Sequence, residues 1–364
     1  MTTETLFRPF NHPKLFLNNR IIMAPMTRYF SPNSIPGDDV VEYYKRRAEN
    51  AVGLILTEGT TVNHKAASSN ARIPKFYDES LDGWSKVVEA VHEAGGKIAP
   101  QLWHIGAMRK EGEGPYPEYP SATPSGLVGK GKQLLEALSP REIDELIKAF
   151  TDAAKDAKDL GFDAIELHGA HGYLLDNFFW EVLNQREDGF GGSVAARTRF
   201  AAEIVESIRA EVGENFPIIL RFSQWKQQDF EARLAPTKEL LEQFCAPLST
   251  AGVDIFHCST RRFWEPEFSD SSKNLAGWVK EITGKPTISV GSVGLTEEFV
   301  STYRDAEAEV AGIDELIDRM EQDEFDLIAV GRALIANPDW AVKVRDGRMD
   351  ELVTYDKKML ESLN

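Results

Sequence analysis

The stretch HGAHGY places His168, His171 and Tyr173 within six residues of one another. The apolar run DAIELH, from Asp163, leads straight into it, so the three side chains fall just past the C-terminal end of a strand. Two imidazoles there can donate hydrogen bonds to one oxygen while a nearby phenol supplies a proton. Imidazole is also a common zinc ligand, which would make the site that of a metal-dependent hydrolase. A third reading has the histidines only packing. No HExxH occurs, and the chain has seven histidines from which a third ligand could come.

Eight short apolar runs are spaced along the chain to position such a site. They are IIMA from Ile21, VGLILT from Val52, KIAPQL from Lys97, DAIELH from Asp163, PIILRF from Pro217, VDIFHC from Val253, PTISVG from Pro286 and FDLIAV from Phe325. Amphipathic segments such as SLDGWSKVVEAVHEAG and ARTRFAAEIVESIRAEVG lie between them. Ser139, Pro140 and Glu142 open one such helix and Gly161 closes it. Strand and helix alternating eight times, with little change in composition, predict an α/β fold: a single (β/α)8 TIM barrel over residues 1–364. Residues 1–19 are expected to cap its N-terminal mouth. Residues 103–138, rich in Gly, Pro, Ser and Tyr, form a long excursion after the third strand. A connection of that length is usually functional, and it is expected over the C-terminal face, where such barrels carry their active sites.

The composition narrows the function. A net charge of −17 argues against nucleic acid or an anionic membrane as partner. Two cysteines, Cys245 and Cys258, are too few for a disulfide framework or an iron–sulfur centre and are expected as reduced core thiols. No signal peptide and no apolar run of about 18 residues is evident, so a cytoplasmic protein is expected.

HGAHGYLLDNFF followed by NQREDGFGGSVAARTRF, with RIIMAPMTRY upstream and VGRALIANPDW downstream, resembles the Old Yellow Enzyme family of FMN-dependent ene-reductases. Several motifs agree in order and spacing over nearly the whole chain. The resemblance implies FMN as cofactor and NADPH or NADH as reductant. The phosphate would lie at Gly291 and Ser292 in SVGSVG and at Gly331 and Arg332 in VGRALI, which suits the affinity of glycine-rich turns and helix starts for anions. Pro25, Met26 and Thr27 after the first strand, Gly59 after the second, Gln101 on the third and Arg221 on the fifth would surround the flavin ring. Gln101 would bond its pyrimidine edge and Arg221 would lie near N1. Thr27 resembles the threonine branch of a family that otherwise has cysteine there.

The same resemblance implies hydride transfer from the nicotinamide to FMN, then from N5 to the β-carbon of an α,β-unsaturated carbonyl or nitro compound. His168 and His171 would hold the substrate oxygen; the family carries His or Asn at the second of these positions. Tyr173 would protonate the α-carbon. Trp103 matches a position beside the substrate, and Phe263 with Trp264 in STRRFWEPEFSD is expected to wall a flat ligand. Arg261 and Arg262 could contact nicotinamide phosphates or form a solvated pair. Relatives carry HxGR after the third strand; HIGAMR has Ala107 at the arginine position, which leaves open what holds the long loop. The polar stretch 223–236 is expected to contact the nicotinamide cofactor, with Lys226 as the candidate. The acidic segment 303–325 is expected as a solvated helix face. A barrel that binds FMN without turnover remains an alternative. Relatives occur as monomers and homodimers.

Overall fold

The computed structural model describes residues 3–298 and 308–364. Among them, eight parallel strands close into a barrel in chain order. They are β1 (Ile21–Met23), β2 (Leu54–Thr61), β3 (Ile98–Trp103), β4 (Ile165–His171), β5 (Ile218–Lys226), β6 (Ile255–Ser259), β7 (Thr287–Val290) and β8 (Leu327–Val330). Closure comes from β8 pairing with β1, Ile328 opposite Ile21 and Val330 opposite Met23. Each parallel return needs a crossover. Helices α1 (Asp38–Glu49), α2 (Ser80–Glu93), α3 (Pro140–Asp159), α4 (Arg199–Val212), α5 (Lys238–Ala251), α6 (Leu275–Thr283) and α7 (Asp314–Glu321) supply them.

Helix α3 shows how local sequence sets these boundaries. The Ser139 hydroxyl accepts from the Glu142 amide at 3.3 Å while the Glu142 carboxylate accepts from the Ser139 amide at 2.8 Å, a reciprocal cap. Gly161, with φ of 86°, ends the helix. Between them Ile143, Leu146, Phe150, Ala154 and Ala157 fall on one buried face.

The barrel interior is layered. Ile22, Leu54, Leu56, Ala99, Ile219, Ile255, Ile288 and Leu327 form an apolar cluster at its lower end, joined by Phe10, Leu15 and Leu17. These last three come from a hairpin pairing Phe10–His12 with Leu15–Leu17, so the N-terminal segment closes the bottom of the barrel as expected. Three aspartates stitch that end together. Asp163, Asp254 and Asp326 precede β4, β6 and β8 and accept the amides of Ile98, Ile218 and Thr287, each at 2.9 Å. With the bottom filled and tied, chemistry is left to the opposite face.

Two other expectations concern the thiols and the acidic segment. Cys245 and Cys258 are buried free thiols, and burial pushes both thiol pKa values up. In α7, Leu316, Ile317 and Met320 are buried while Glu315 and Glu321 face outward; residues 303–307 of the acidic segment lie outside the described residues. No helix among the described residues is long and apolar enough to cross a membrane.

Candidate active site

A cavity of about 350 Å³ opens at the C-terminal ends of the strands. Strand β4 brings His168 into it, then turns sharply. His171 has φ of 64° and Gly172 φ of 85°, a left-handed conformation that favours glycine, with the Gln228 side chain packed against the space a Cβ would take. The turn delivers Tyr173 as the residue before a short helix, Leu174–Phe179. The His168 ring lies 4.7 Å from that of Tyr173 and 5.4 Å from that of His171, both nearly perpendicular. Trp103 meets Tyr173 edge-on at 5.1 Å.

The electrostatics keep both imidazoles neutral. Burial, and then the nearby Arg221 guanidinium, hold His168 and His171 well below the usual imidazole pKa. The Ala170 amide donates to His168 Nδ1 at 3.4 Å, which leaves the ring proton on Nε2. His171 Nε2 meets Ser259 Oγ at 2.8 Å. Two neutral N–H donors and a phenol thus face one space.

Below them the interior changes from apolar to polar. Gln101 Nε2 donates to Glu166 Oε1 at 2.7 Å, and Glu166 Oε2 lies 2.6 Å from His257 Nδ1, with Glu166 and His257 fully buried. Arg221 donates to Ser259 Oγ at 3.2 Å. Its Nε is buried without a hydrogen-bond partner among the described residues. At the far end, Gly291 has φ of 153° and a Cβ there would come within 2.8 Å of the Thr260 carbonyl. Arg332 donates to the carbonyls of Glu297 and Glu298 at 2.5 and 3.3 Å.

Pro25, Met26, Thr27, Gly59, Gln101, Trp103, His168, His171, Tyr173, Arg221, Gly291, Ser292, Gly331 and Arg332 all line this cavity. Phe263 and Trp264 do not. The loop after β6 is bonded to the end of β7, Thr260 N to Val290 O at 3.0 Å and Phe263 N to Gly291 O at 3.1 Å. Phe263, 4% exposed, joins the main core and Trp264 packs against it. The arginine pair is split: Arg261 lines the cavity and pairs with Glu298 at 3.1 Å, whereas Arg262 pairs with Glu265 at 3.0 Å on the surface. Lys226 is no cofactor contact, being fully buried in an ion pair with Asp176. Of the excursion 103–138, Trp103 reaches the cavity lining. Its first half is wound around Arg109, which donates to the carbonyls of Glu113, Tyr116 and Tyr119 within the excursion and of Ser68 outside it. Arg109 therefore does the holding that Ala107, two residues earlier, cannot. No group of three His, Cys, Asp or Glu placed to hold a metal ion occurs among the described residues.

Several lining residues escaped the sequence reading. Ser259 and Thr260 follow Cys258, where the apolar run of β6 was taken to end. Glu166, which accepts from the lining residue Gln101 without lining the cavity itself, also escaped but carried a signal, a carboxylate inside an apolar run two residues before His168 and so on the same strand face. Tyr355, Lys357 and Leu360 come from the C-terminal tail, beyond the strand–helix pattern, and Trp225 and Gln227 from the polar stretch 223–236, Trp225 on the last residues of β5 and Gln227 just past it.

A family model described as the NADH:flavin oxidoreductase / NADH oxidase family matches residues 5–351. The chain is 35% identical to an NADH oxidase of Thermoanaerobacter brockii, over 93% of this chain and 50% of that protein. It is 31% identical to an NADPH dehydrogenase of Clostridium acetobutylicum, over 92% of each chain. The chain thus spans half the length of the oxidase and nearly all of the dehydrogenase. Among solved structures, morphinone reductase in complex with tetrahydroNAD superposes with a TM-score of 0.79 at 27% identity, covering 98% of this chain and 93% of that one.

Proposed function

The chain belongs to the NADH:flavin oxidoreductase / NADH oxidase family, the Old Yellow Enzyme family, as an FMN-dependent oxidoreductase using NADH or NADPH, and from that premise we propose that it reduces the C=C bond of activated alkenes. The observation that carries this reading is the convergence of two neutral imidazoles and a phenol on the cavity that also holds the Arg221 guanidinium. The alternative of a metal-dependent hydrolase has no ligand cluster among the described residues to support it.

The residues present fit FMN. Arg221, which lines the cavity, has a buried Nε donor without a partner among the described residues, a demand that an acceptor edge of the cofactor would meet. Gly59 leaves a flat surface beside Gln101 and Trp103, whose atoms a Cβ would meet at 3.4 Å. Gly291, Gly331 and Arg332 offer backbone approach and a cation for the phosphate. When bound, FMN supplies the hydride relay, taking hydride from the nicotinamide and giving it to the alkene's β-carbon.

The protein's own residues do the rest. Nε2 of His171, now opposite Ser259 Oγ, and Nε2 of His168 donate to the carbonyl or nitro oxygen. Charge builds on that oxygen as hydride arrives, so donors fixed there lower the barrier. Tyr173 donates its proton to the α-carbon. Gln101 and Arg221 orient the cofactor, and Trp103 packs edge-on against Tyr173 to fix the phenol. Nicotinamide and alkene share one cavity, which requires the first to leave before the second enters.

Anaerobic stopped-flow absorbance tests the reading. NADH or NADPH should bleach the holoenzyme's visible band, and cyclohexenone should restore it. The variant His168→Ala/His171→Ala should bleach normally but recover about 10²–10³-fold more slowly. Bleaching without recovery in the wild-type protein would show a flavoprotein with another acceptor.

A further inference from the structure

The polar stretch after β5 has a role that its sequence did not disclose. Gln227 lines the cavity, and its Nε2 donates to Tyr173 Oη at 3.0 Å. A phenol oxygen that accepts from an amide keeps its own proton for donation elsewhere. The same amide stabilises negative charge left on that oxygen once the proton has gone.

This contact is set from both sides by a fully buried ion pair. Lys226, next to Gln227, donates to Asp176 Oδ1 at 2.7 Å, and both side chains are 0% exposed. Asp176 stands three residues beyond Tyr173, and its second oxygen accepts the Gly172 amide at 2.7 Å. Lys226 also donates to the Ser223 carbonyl at 3.0 Å, while the Ser223 hydroxyl accepts the His171 amide at 3.0 Å. The Gln227 amide donates to the His171 carbonyl at 3.3 Å. Asp176 and Lys226 thus lock the turn carrying Tyr173 to the segment carrying Gln227. The flanking Trp225 is stacked on His171 at 4.5 Å by the same segment.

We propose that Gln227 is a positioning residue for the proton on Tyr173, held in register by the Asp176–Lys226 pair, so that proton delivery to substrate depends on the segment after β5. The proposal rests on the ene-reductase reading. In the step itself the Tyr173 O–H bond breaks, a C–H bond forms at the α-carbon, and the electron pair left on Oη is met by the Gln227 N–H; solvent later returns the proton.

The test is a double-mutant cycle on the reoxidation of prereduced holoenzyme by cyclohexenone, with Gln227→Met, Tyr173→Phe and both together. Gln227→Met keeps side-chain length and removes the amide. It should slow reoxidation about tenfold in the wild-type background, the scale of one hydrogen bond to a charged group, and have almost no effect in the Tyr173→Phe background. It should also move the alkaline limb of the reoxidation pH profile to higher pH. Equal slowing in both backgrounds, or an unmoved pH profile, would overturn the proposal and leave Gln227 as a wall residue. If Tyr173→Phe itself reoxidises at the wild-type rate, the donor role of Tyr173 fails. In that case Gln227→Met must still shift the ring-carbon NMR signal of Tyr173 next to its oxygen, or the contact is not formed in solution.

Discussion

Two segments frame the mouth of this barrel, and the longer one, expected to cover the active site, gives less to the cavity than the shorter. The excursion 103–138 is long and rich in turn formers, the kind of loop that commonly covers an active site, yet Trp103 is its contribution to the cavity wall. The stretch 223–236 is polar and shorter, and it supplies Trp225 and Gln227 to the cavity. The difference lies in where each satisfies its backbone. Arg109 turns that segment in on itself through three excursion carbonyls, those of Glu113, Tyr116 and Tyr119, and ties it to the Ser68 carbonyl after β2. At its end β5 continues the ladder past a register shift, His171 opposite Lys226, so the start of the stretch 223–236 is itself strand and remains bonded to the catalytic turn. Proximity to chemistry follows strand register more closely than loop length.

The sharpest way to break this comparison is at the buried pair. Lys226→Met leaves Asp176 charged and unpaired in a site where both side chains are fully enclosed. Removing one partner of such a pair costs about 3–5 kcal/mol of stability, read as a lower denaturant midpoint with an unchanged slope. The double variant Asp176→Leu/Lys226→Met should regain much of that stability while still reoxidising slowly, because the apolar pair fills space without fixing the turn. A Lys226→Met protein as stable as wild type would mean that the lysine is not where it is placed here.

A smaller effect is expected on the other side. Arg109→Ala removes the donor that four carbonyls share, but these lie near enough to the surface to find water, so the loss should be about 2 kcal/mol. Since the excursion lends Trp103 alone to the cavity wall, kcat for enone reduction should remain close to wild type. Loss of turnover on the scale of Gln227→Met would instead show that the excursion shapes the cavity from outside.

What the sequence made legible was set by periodicity and by motifs at strand ends. Eight apolar runs and the cap at Ser139 and Glu142 fix barrel and boundaries because they depend on local spacing. The cavity residues from Pro25 to Arg332 were readable because the motifs that carry the family resemblance lie on the C-terminal halves of the strands and just beyond them. Trp264 misled because aromatic character says nothing about which way a loop turns, and here the hydrogen bonds from Thr260 and Phe263 to the end of β7 decide it. Lys226 misled for a related reason: a lysine in a polar stretch reads as solvated until its partner, fifty residues earlier in the chain, is known. The tail residues Tyr355 and Lys357 carried no pattern at all.

The smallest effect concerns pH, and its sign distinguishes neutral from charged donors. Burial followed by the Arg221 charge holds His168 and His171 well below the ordinary imidazole value, so both are neutral near pH 7. A group with a depressed pKa keeps its neutral form as pH rises and loses it only as pH falls through the depressed value. Reoxidation by enone should therefore change little between about pH 6 and 8. On the excursion side, burial lowers His64 to about 4, and its Nδ1 faces the also depressed His104 at 2.9 Å, so neither pair of rings titrates in that window. A rate that declined steadily from pH 6 to pH 8 would require an imidazolium at the substrate oxygen, and that would place a proton where the Arg221 charge opposes it.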